Sequence, residues 1–328
     1  MPKSWGRNLS AFGLNANGSN IWLFEGGAIH KRSNGTMQVI RHSEITSSDF
    51  DVRHWTKRGE INSDETWFVG AQGMTYHPGS QPDERRWFVT RHSGKAGPFG
   101  SNVDRITKLI KHLTHEFSRN DMRSSFGIGH AGDCDLWRNS IYVACQNPKK
   151  VAILNRNVRK IGEATLKASG RLPLGHDYLS WCAVNPCDGM LYTSDVDNVT
   201  KVYGFDRKRD YLWTKTITLT KKIQRVQGGA FTPNGLLILA SDDRADQSFA
   251  HIHFSNSITG EHLCDLKVVR KWTDTLVSDQ EIEGVCFAPG VPYQKPTALH
   301  TIVIKSNVPN RQAWVKHWEI PADQLAKM

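Results

Sequence analysis

The chain has 328 residues, of which 38% are hydrophobic and 23% charged, and its formal net charge is +10. This composition is typical of a globular protein and argues against a fibrous or disordered chain, while the length suits one large domain or two average ones. No apolar run approaches the roughly 18 residues of a membrane-spanning helix, and the first residues lack the apolar segment of a secretory signal, so we expect a cytoplasmic protein without a membrane partner.

The first predicted elements are four short strands near the N-terminus, separated by turns that contain Asn and Gly. They lie at Asn8–Leu14, Ile21–Glu25, Ala28–Arg32 and Met37–His42. The half of the chain that contains them is basic: residues 1–160 hold 23 Lys and Arg against 14 Asp and Glu, a net charge of +9. Residues 161–328 hold 19 against 18, a net charge of +1. This asymmetry favours an anionic partner, such as an acidic polysaccharide, a phosphorylated metabolite or a nucleic acid, with solubility alone as the alternative.

Five later segments share one pattern: a short strand with a glycine or another small residue, a turn, and a second strand that ends in polar residues. They read AQGMTYHPG…RRWFVTRHS, GHAGDCDLWRNSIYVACQ, LSWCAVNPCDGMLYTSD, VQGGAFTPNGLLILASDD and EIEGVCFAPG…LHTIVIKS. When Gly73, Gly132, Cys182, Gly229 and Gly284 are taken as equivalent, the successive spacings are 59, 50, 47 and 55 residues. Further strand-like runs follow these pairs, so each unit is predicted to contain four antiparallel strands.

Two places leave the strand pattern open. Residues 104–117 carry apolar side chains at the spacing of an amphipathic helix. We favour two strands there, because the unit would otherwise lack its outer strands. The last unit lacks a fourth strand after QAWVKHWEI, and we expect Ser4–Arg7 or the C-terminal tail to complete it and to hide the sheet edges.

The repeat pattern resembles that of β-propeller proteins, most closely the six-bladed enzymes and binding proteins that include lactonases and strictosidine-synthase-like hydrolases. The resemblance implies an all-β fold of four-stranded antiparallel blades in a single domain over residues 1–328, with six blades favoured and five or seven left open. A WD dipeptide, a kelch signature and a sialidase Asp-box do not stand at the repeated positions, so the resemblance concerns architecture alone. It also implies a central channel with polar residues at one mouth, where the first strands begin. Those positions are Gln72, His130, Asp133, His176, Asp177, Ser180, Gln227 and Glu283.

Three of these residues, His130, His176 and Glu283, are the predicted catalytic groups, because an imidazole and a carboxyl group can act together in proton transfer. Such a pair serves hydrolysis of a lactone or ester, or elimination from an acidic sugar, which predicts a hydrolase or lyase. The predicted substrate is a small or saccharide-like anion. Its predicted contacts are Gln72, Arg91, Asp133, Asp177, Trp181 and Gln227, with Arg85 and Arg86 as further candidates for holding its charge.

Two alternatives stay open at the same mouth. A divalent metal is one, with His130, His176, Asp133, Asp135 and Glu283 as ligands, and this mixed set suits zinc, manganese or iron better than calcium. The other is structural, since buried polar groups near an axis also hydrogen-bond neighbouring blades. In that case the protein is a non-catalytic propeller that binds a glycan, a protein or a nucleic acid, although nucleic-acid and nucleotide-loop motifs are missing from the sequence.

Other residues are predicted to have structural roles only. The six cysteines include no CxxC pair, which argues against the common zinc and thioredoxin-like spacings and predicts small buried side chains. Three acidic residues at the ends of second strands, Asp195, Asp242 and Asp243, are predicted to cap turns.

Overall fold

The computed structural model describes residues 9–14, 20–25, 28–33, 36–41, 56–63, 70–77, 86–92, 104–110, 116–146, 148–175, 179–243, 245, 249–269, 280–292, 296–305 and 312–320. In these ranges the chain is mostly β-strand, with one short α-helix, α1 (Met122–Phe126), and one turn of 3-10 helix at Arg207–Arg209. The structure is all-β, as the sequence predicts. Among the described residues there is no helix long and apolar enough to span a membrane.

The described strands form six antiparallel sheets of four strands each. The N-terminal sheet contains β1 (Leu9–Leu14), β2 (Asn20–Glu25), β3 (Ala28–Ser33) and β4 (Thr36–Arg41). After β5 (Thr56–Ser63), the next sheet contains β6 (Ala71–His77), β7 (Arg86–His92), β8 (Asp104–Ile110) and β9 (Glu116–Asp121). The following sheet contains β10 (His130–Trp137), β11 (Ser140–Gln146), β12 (Lys150–Asn155) and β13 (Lys160–Ala164).

Three more sheets follow in chain order. One contains β14 (Ala183–Val184), β15 (Leu191–Thr193), β16 (Val199–Asp206) and β17 (Leu212–Ile223). The next contains β18 (Val226–Phe231), β19 (Leu237–Ser241), β20 (Phe249–Ser255) and β21 (His262–Val269). The last contains β22 (Gln280–Pro292), β23 (Pro296–Lys305), β24 (Gln312–Glu319) and, as its fourth strand, β5.

The first strands of five sheets lie side by side in a closed cycle. β6 adjoins β10, and the cycle continues through β14, β18 and β22 back to β6. Four-stranded antiparallel sheets arranged around an axis in this way are the blades of a β-propeller. The sequence favoured six blades and left five open. The described strands form six four-stranded sheets. The cycle of first strands has five members, because the sheet of β1–β4 does not contribute a strand to it.

The last blade is completed by a strand from the other end of the ring. β24 pairs with β5, which precedes the first blade of the cycle in the sequence. Pairing of the two ends was predicted, and it covers sheet edges that would otherwise be open. The strand that provides it is Thr56–Ser63, whereas the predicted candidates, Ser4–Arg7 and the C-terminal tail, lie outside the described residues.

The ambiguous segment at residues 104–117 contains strands. β8 pairs along its length with β7, from His92 opposite Asp104 to Arg86 opposite Ile110, and β9 pairs with β8. The predicted strands are therefore confirmed. The reason is tertiary: β7 offers a strand edge to pair with, and this outweighs the helical spacing of the apolar residues.

Four first strands carry a β-bulge where the sequence has a polar residue next to a glycine. The register shifts lie between Ala71 and Gly73, between Ala131 and Cys134, between Val226 and Gly228, and between Ile282 and Val285. A bulge leaves one residue without a partner and re-aims its side chain. The sequence predicted that QG, HAGD, QGG and EG are one structural device, and these bulges confirm it.

The hydrophobic core lies between neighbouring blades. One cluster joins Ile238 and Phe254 of one blade with Ile282 and Leu299 of the next, and comparable clusters occupy the other blade interfaces. The six cysteines are free, and four of them, Cys134, Cys145, Cys182 and Cys286, are buried as predicted, while Cys187 and Cys264 are half-buried.

Candidate active site

One end of the ring collects the starts of the first strands and the ends of the second strands, and we call this end the mouth. The antiparallel register pairs Ala71 with Arg91, His130 with Gln146, Val226 with Ser241, and Gln280 with Lys305 at this end. The first strands run side by side, and Gly284 lies against both Gly73 and Gly228 close to the axis. The structure therefore brings together the starts of β6, β10, β18 and β22, which carry Gln72, His130, Gln227 and Glu283.

The carboxyl group of Asp133 lies near the axis of the ring, below the mouth and between four first strands. Its Oδ1 accepts hydrogen bonds from the backbone N–H groups of Met74 at 3.1 Å and Cys134 at 2.8 Å. Its Oδ2 accepts from the N–H groups of Gly229 at 3.2 Å and Val285 at 3.3 Å. One buried side chain therefore joins β6, β10, β18 and β22, and it satisfies four backbone donors that the bulges turn towards the axis.

Three glycines make room for this carboxyl group. A Cβ atom on Gly73 would lie 2.3 Å from Cα of Asp133, and Cβ atoms on Gly228 and Gly284 would each lie 2.8 Å from one of its oxygens. Distances this short are not tolerated, so only glycine permits the approach. Because Asp133 is 0% exposed and both its oxygens accept from backbone groups, the prediction that it binds substrate or metal is corrected to a structural role.

The two acidic residues of β10 hold neighbouring strands. Burial raises the pKa of Asp133, and its four backbone N–H donors act in the opposite direction. Burial also raises the pKa of Asp135 to about 6, and its Oδ2 accepts from the N–H of Val184 at 2.8 Å. Asp135, predicted as an alternative metal ligand, thus connects β10 to β14 through a hydrogen bond.

His130 stands at the mouth in contact with two polar residues of the neighbouring blade. Its Nε2 lies 2.7 Å from Oε1 of Gln72, and its ring stacks on that of His92 with 3.8 Å between centroids and 19° between planes. His92 is held in turn by its backbone N–H, which donates to the carbonyl of Gly70 at 2.7 Å. His130 and Gln72 are half-buried, so this side of the mouth is open to a ligand.

Glu283 stands on the bulge of β22 and lies among other carboxyl groups. It is 4% exposed, and its side chain is hydrogen-bonded to that of Glu281. Burial, together with the charges of Glu281 and Asp242, holds the pKa of Glu283 well above its usual range, and Arg225 acts in the opposite direction. Such surroundings favour the neutral form of the carboxyl group, the form that can donate a proton.

Arg225 and Asp242 complete this side of the mouth. Nε of Arg225 lies 3.6 Å from Oδ2 of Asp242, and the backbone N–H of Asp242 donates to the carbonyl of Arg225 at 2.9 Å. Arg225 has a φ of 46°, in the left-handed region that is costly for a residue with a side chain. Strain of this kind persists only where surrounding contacts hold it, and it is concentrated at functional sites.

The order of the strands places Gln72 between the two candidate groups. β6 adjoins β22 on one side and β10 on the other, so Gln72 stands between Glu283 and His130 around the mouth. Gln227, also half-buried, stands on the bulge of β18, on the opposite side of β22 from β6. Arg91, the second-to-last residue of β7, lies at the mouth as well.

Two predicted ligand contacts lie elsewhere. Trp181 is 0% exposed, its Nε1 donates to Oγ of Ser194 at 2.9 Å, and its ring packs against Gly229, so it has no face to offer a substrate. Arg86 begins β7 and therefore lies at the opposite end of that strand from Arg91. Ser180, the polar neighbour of Trp181, donates to the carbonyl of Val226 at 2.9 Å and is structural. His176, Asp177 and Arg85 lie outside the described residues.

Among the described residues, the predicted metal ligands His130, Asp133, Asp135 and Glu283 do not form a metal-ligand group, and His176 lies outside the described residues. Among the described His, Cys, Asp and Glu side chains, the group whose ligand atoms come within 4.8 Å of one another is His253, His262 and Asp265, on outer strands. His130, Asp133 and Glu283 are not part of it.

Three residues of the site were not predicted from the sequence as site residues. Glu281 is two positions from Glu283 on the same strand, which places both on one face, and the EIE pattern is the signal that could have shown it. Asp242 was predicted to cap a turn, but it is fully buried beside Arg225. The predicted cap at Asp243 is confirmed, because its Oδ1 accepts from the N–H of Ala245 two positions on. Asp195 instead accepts from the N–H of Gly175, 20 positions before it, which is a contact between segments. For Arg225 the sequence offers no signal.

Comparisons with known proteins support the fold. The structure is similar to glutaminyl cyclase of Myxococcus xanthus, with a TM-score of 0.50 and 10% sequence identity over 81% of this chain and 97% of that one. It is also similar to the tail fiber of Staphylococcus aureus phage P68, with a TM-score of 0.54 and 12% identity over 85% of this chain and 56% of that longer one. No protein-family model and no curated protein sequence matches the chain. At such low identities the structural likeness shows the fold alone: the protein has the β-propeller architecture, and no family narrower than that is assigned.

Proposed function

We propose that this β-propeller is an enzyme, a hydrolase or lyase that acts at the mouth on a small or saccharide-like anionic molecule by acid–base chemistry. The observation that carries the proposal is the buried carboxyl group of Glu283, which stands next to the half-buried Glu281 at the same mouth as His130. Two titratable groups whose surroundings differ in this way are the usual basis for assigning an acid and a base.

Glu283 is the proposed general acid. Its carboxyl group is buried beside two further acidic side chains, so the neutral form is favoured. A hydrogen bond with the side chain of Glu281 raises the pKa of Glu283 further. A proton held in this way can be transferred to the oxygen of a leaving group.

His130 is the proposed general base. The amide oxygen of Gln72 only accepts hydrogen bonds, so Nε2 of His130 donates to it. This hydrogen bond and the stacking on His92 restrict rotation of the ring. In its neutral form, an imidazole held in a fixed orientation is suited to take a proton from water or from carbon.

These two roles account for both reaction types. In hydrolysis of a lactone or ester, His130 takes a proton from the attacking water, and Glu283 protonates the departing oxygen. In elimination from an acidic sugar, His130 takes the proton next to the carboxylate, the carbon–oxygen bond breaks, and Glu283 protonates the oxygen that leaves. Arg91 and Arg225 at the mouth, with the basic N-terminal half of the chain, supply the positive charge that an anion requires.

The test measures turnover of two probes by the full chain and by two variants. Dihydrocoumarin reports lactone hydrolysis and polygalacturonate reports elimination, both by ultraviolet absorbance. Glu283→Gln keeps the shape and hydrogen bonding of a protonated carboxyl group but cannot donate its proton as an acid. We expect E283Q and H130A each to lower kcat by about 100-fold or more with little change in KM, which is the usual contribution of one acid or base.

The matched controls are His77→Ala and Glu163→Gln. His77 ends β6 at the opposite end from the mouth, and Glu163 is an exposed residue of β13. Both controls should retain full activity. If the wild-type protein turns over neither probe but binds oligogalacturonate in calorimetry, the enzyme proposal fails and a non-catalytic glycan-binding propeller replaces it.

A further inference from the structure

A second polar cluster lies on the two outer strands of the blade formed by β18–β21, whereas the mouth is formed by first and second strands. Nδ1 of His253 lies 2.5 Å from Oδ1 of Asp265, and Nε2 of His262 lies 3.0 Å from the same oxygen. The three ligand atoms lie within 4.8 Å of one another. His253 is almost fully buried. The side chains of His262 and Asp265 are 20% and 25% exposed, so solvent reaches the cluster from their side.

The strand register explains why these three residues meet. His253 of β20 stands directly opposite Asp265 of β21, so their side chains share one face of the sheet. His262 is three positions from Asp265 and would face the other way in a regular strand. The register shifts between Phe254 and Ser255, which leaves Leu263 as the extra residue of β21 and turns His262 onto the face of Asp265.

We propose that His253, His262 and Asp265 bind one zinc ion. Two imidazole nitrogens and one carboxylate oxygen, with a water molecule as fourth ligand, are a donor set that zinc takes in proteins. Each donor must offer a lone pair to the metal, so a neutral histidine whose ring N–H donates to the carboxylate of Asp265 moves that hydrogen to its other ring nitrogen when zinc binds.

The spacing of the donors is close to what the ion requires. Ligand atoms about 2.0–2.1 Å from a tetrahedral zinc ion are about 3.3 Å from one another. The two observed nitrogen–oxygen distances are 2.5 and 3.0 Å, so insertion of the ion needs the side chains to open by less than 1 Å. The backbone of His262 is held in place, because its N–H donates to Oγ1 of Thr220 on β17 at 2.9 Å.

Lys221 of β17 gives the proposal a sharp test. Its ammonium group contacts Oδ2 of Asp265, the oxygen that does not face the two histidines. It leaves Oδ1 for the metal, but its positive charge lies a few ångströms from the ion and repels it. Removing this charge should strengthen zinc binding, which is the reverse of what a merely structural cluster would show.

The experiment measures zinc affinity of the full chain by competition with a chromophoric chelator, and metal content after dialysis. We expect one zinc ion per chain. His262→Ala and Asp265→Asn should each weaken binding by at least tenfold, since even the loss of a residue behind a ligand typically costs 10–100-fold. Lys221→Met should strengthen binding by about tenfold, as expected for one charge near a dication at the protein surface.

Two controls keep the result interpretable. Lys267→Met removes a positive charge from the same strand as Asp265, next to Phe249, and His251→Ala removes a histidine two positions from His253. K267M should leave zinc affinity within about threefold of wild type. H251A removes a ring that stacks on that of His253, so it should weaken zinc binding less than H262A does. Binding that is absent, that survives in H262A and D265N, or that K221M and K267M change equally overturns the proposal. Circular dichroism of each variant separates loss of a ligand from loss of the fold.

Discussion

The axis of the propeller and its mouth share one local feature, an acidic residue at a β-bulge, but the surroundings of the two carboxyl groups differ. In both regions an acidic residue stands at a β-bulge of a first strand, Asp133 in β10 and Glu283 in β22. Burial raises the pKa of both carboxyl groups. At Asp133 four backbone N–H groups oppose the rise, whereas at Glu283 the neighbouring carboxyl groups add to it.

The difference shows that surroundings, and not residue type or local backbone, decide what a buried acid does. Asp133 is surrounded by donors from four strands, so its oxygens are fully used and its role is to hold the ring together. Glu283 is surrounded by Glu281 and Asp242, whose charges raise its pKa further and favour the neutral acid. Five substitutions test this contrast, and those with the strongest expected effect come first.

Asp133→Ala should have the largest effect on stability. It leaves four buried N–H groups without an acceptor, and each such group costs about 1–3 kcal/mol, so we expect the free energy of unfolding to fall by about 4 kcal/mol or more. Urea denaturation measures it. Asp243→Ala, which removes one turn hydrogen bond, is the control and should cost about 1 kcal/mol or less. A D133A protein that is as stable as wild type but inactive would place Asp133 in the site instead.

Gly73→Ala tests the packing around Asp133 at the axis. Its Cβ would lie 2.3 Å from Cα of Asp133, which is backbone and cannot move aside, so we expect a loss of about 3 kcal/mol. Gly162→Ala is the control, since a Cβ there would meet only Ile153 at 3.9 Å. It should change the thermal midpoint by about 2 °C or less. Equal effects of the two substitutions would mean that the axis is looser than these contacts indicate.

Glu283→Gln should change how stability depends on pH. The folded protein favours the neutral acid, while the unfolded chain ionises near pH 4.5. Stability of the wild type relative to E283Q should therefore fall as pH rises above 4.5, by about 1.4 kcal/mol per pH unit, until the folded pKa is reached. Thermal unfolding across a pH series measures it. Glu163→Gln should give the opposite sign, because Lys160 and Lys150 lower the pKa of Glu163. A constant difference between E283Q and wild type would contradict the assignment.

Thr90→Val and Thr301→Val should have the smallest effects. Oγ1 of Thr90 donates to the carbonyl of Gly132, beside Asp133, at 2.6 Å, and Oγ1 of Thr301 donates to the carbonyl of Gly284, beside Glu283, at 2.7 Å. Each substitution removes one buried hydrogen bond, and we expect each to cost about 1 kcal/mol in urea denaturation. Only T301V should also lower turnover, since only its bulge carries the proposed acid. Equal losses of turnover in both variants would argue that the two bulges are not functionally distinct.

Much of the architecture could be predicted from local patterns. Alternation of apolar and polar residues gave the strands, and the recurrent glycine beside a polar residue gave the equivalent points and the bulges. His130, Gln72 and Glu283 were predicted at the mouth and are found there. The prediction was wrong for Trp181, because burial could not be derived from its position next to a strand start. Its ring packs against Gly229 of the next blade and is fully buried.

The all-β repeat and the position of polar residues at the starts of the first strands could be derived from the sequence, because both follow from periodicity of two and from the conformational freedom of glycine. Which strand closes the last blade and what each acid contacts depend on tertiary structure. The reason is separation along the chain: Met74 and Val285 are 59 and 152 residues from Asp133, and no local pattern relates them. The ring brings Met74 and Val285 to Asp133. Their backbone N–H donors distinguish Asp133, which stabilises the fold, from Glu283, the proposed acid, which has carboxyl groups as neighbours.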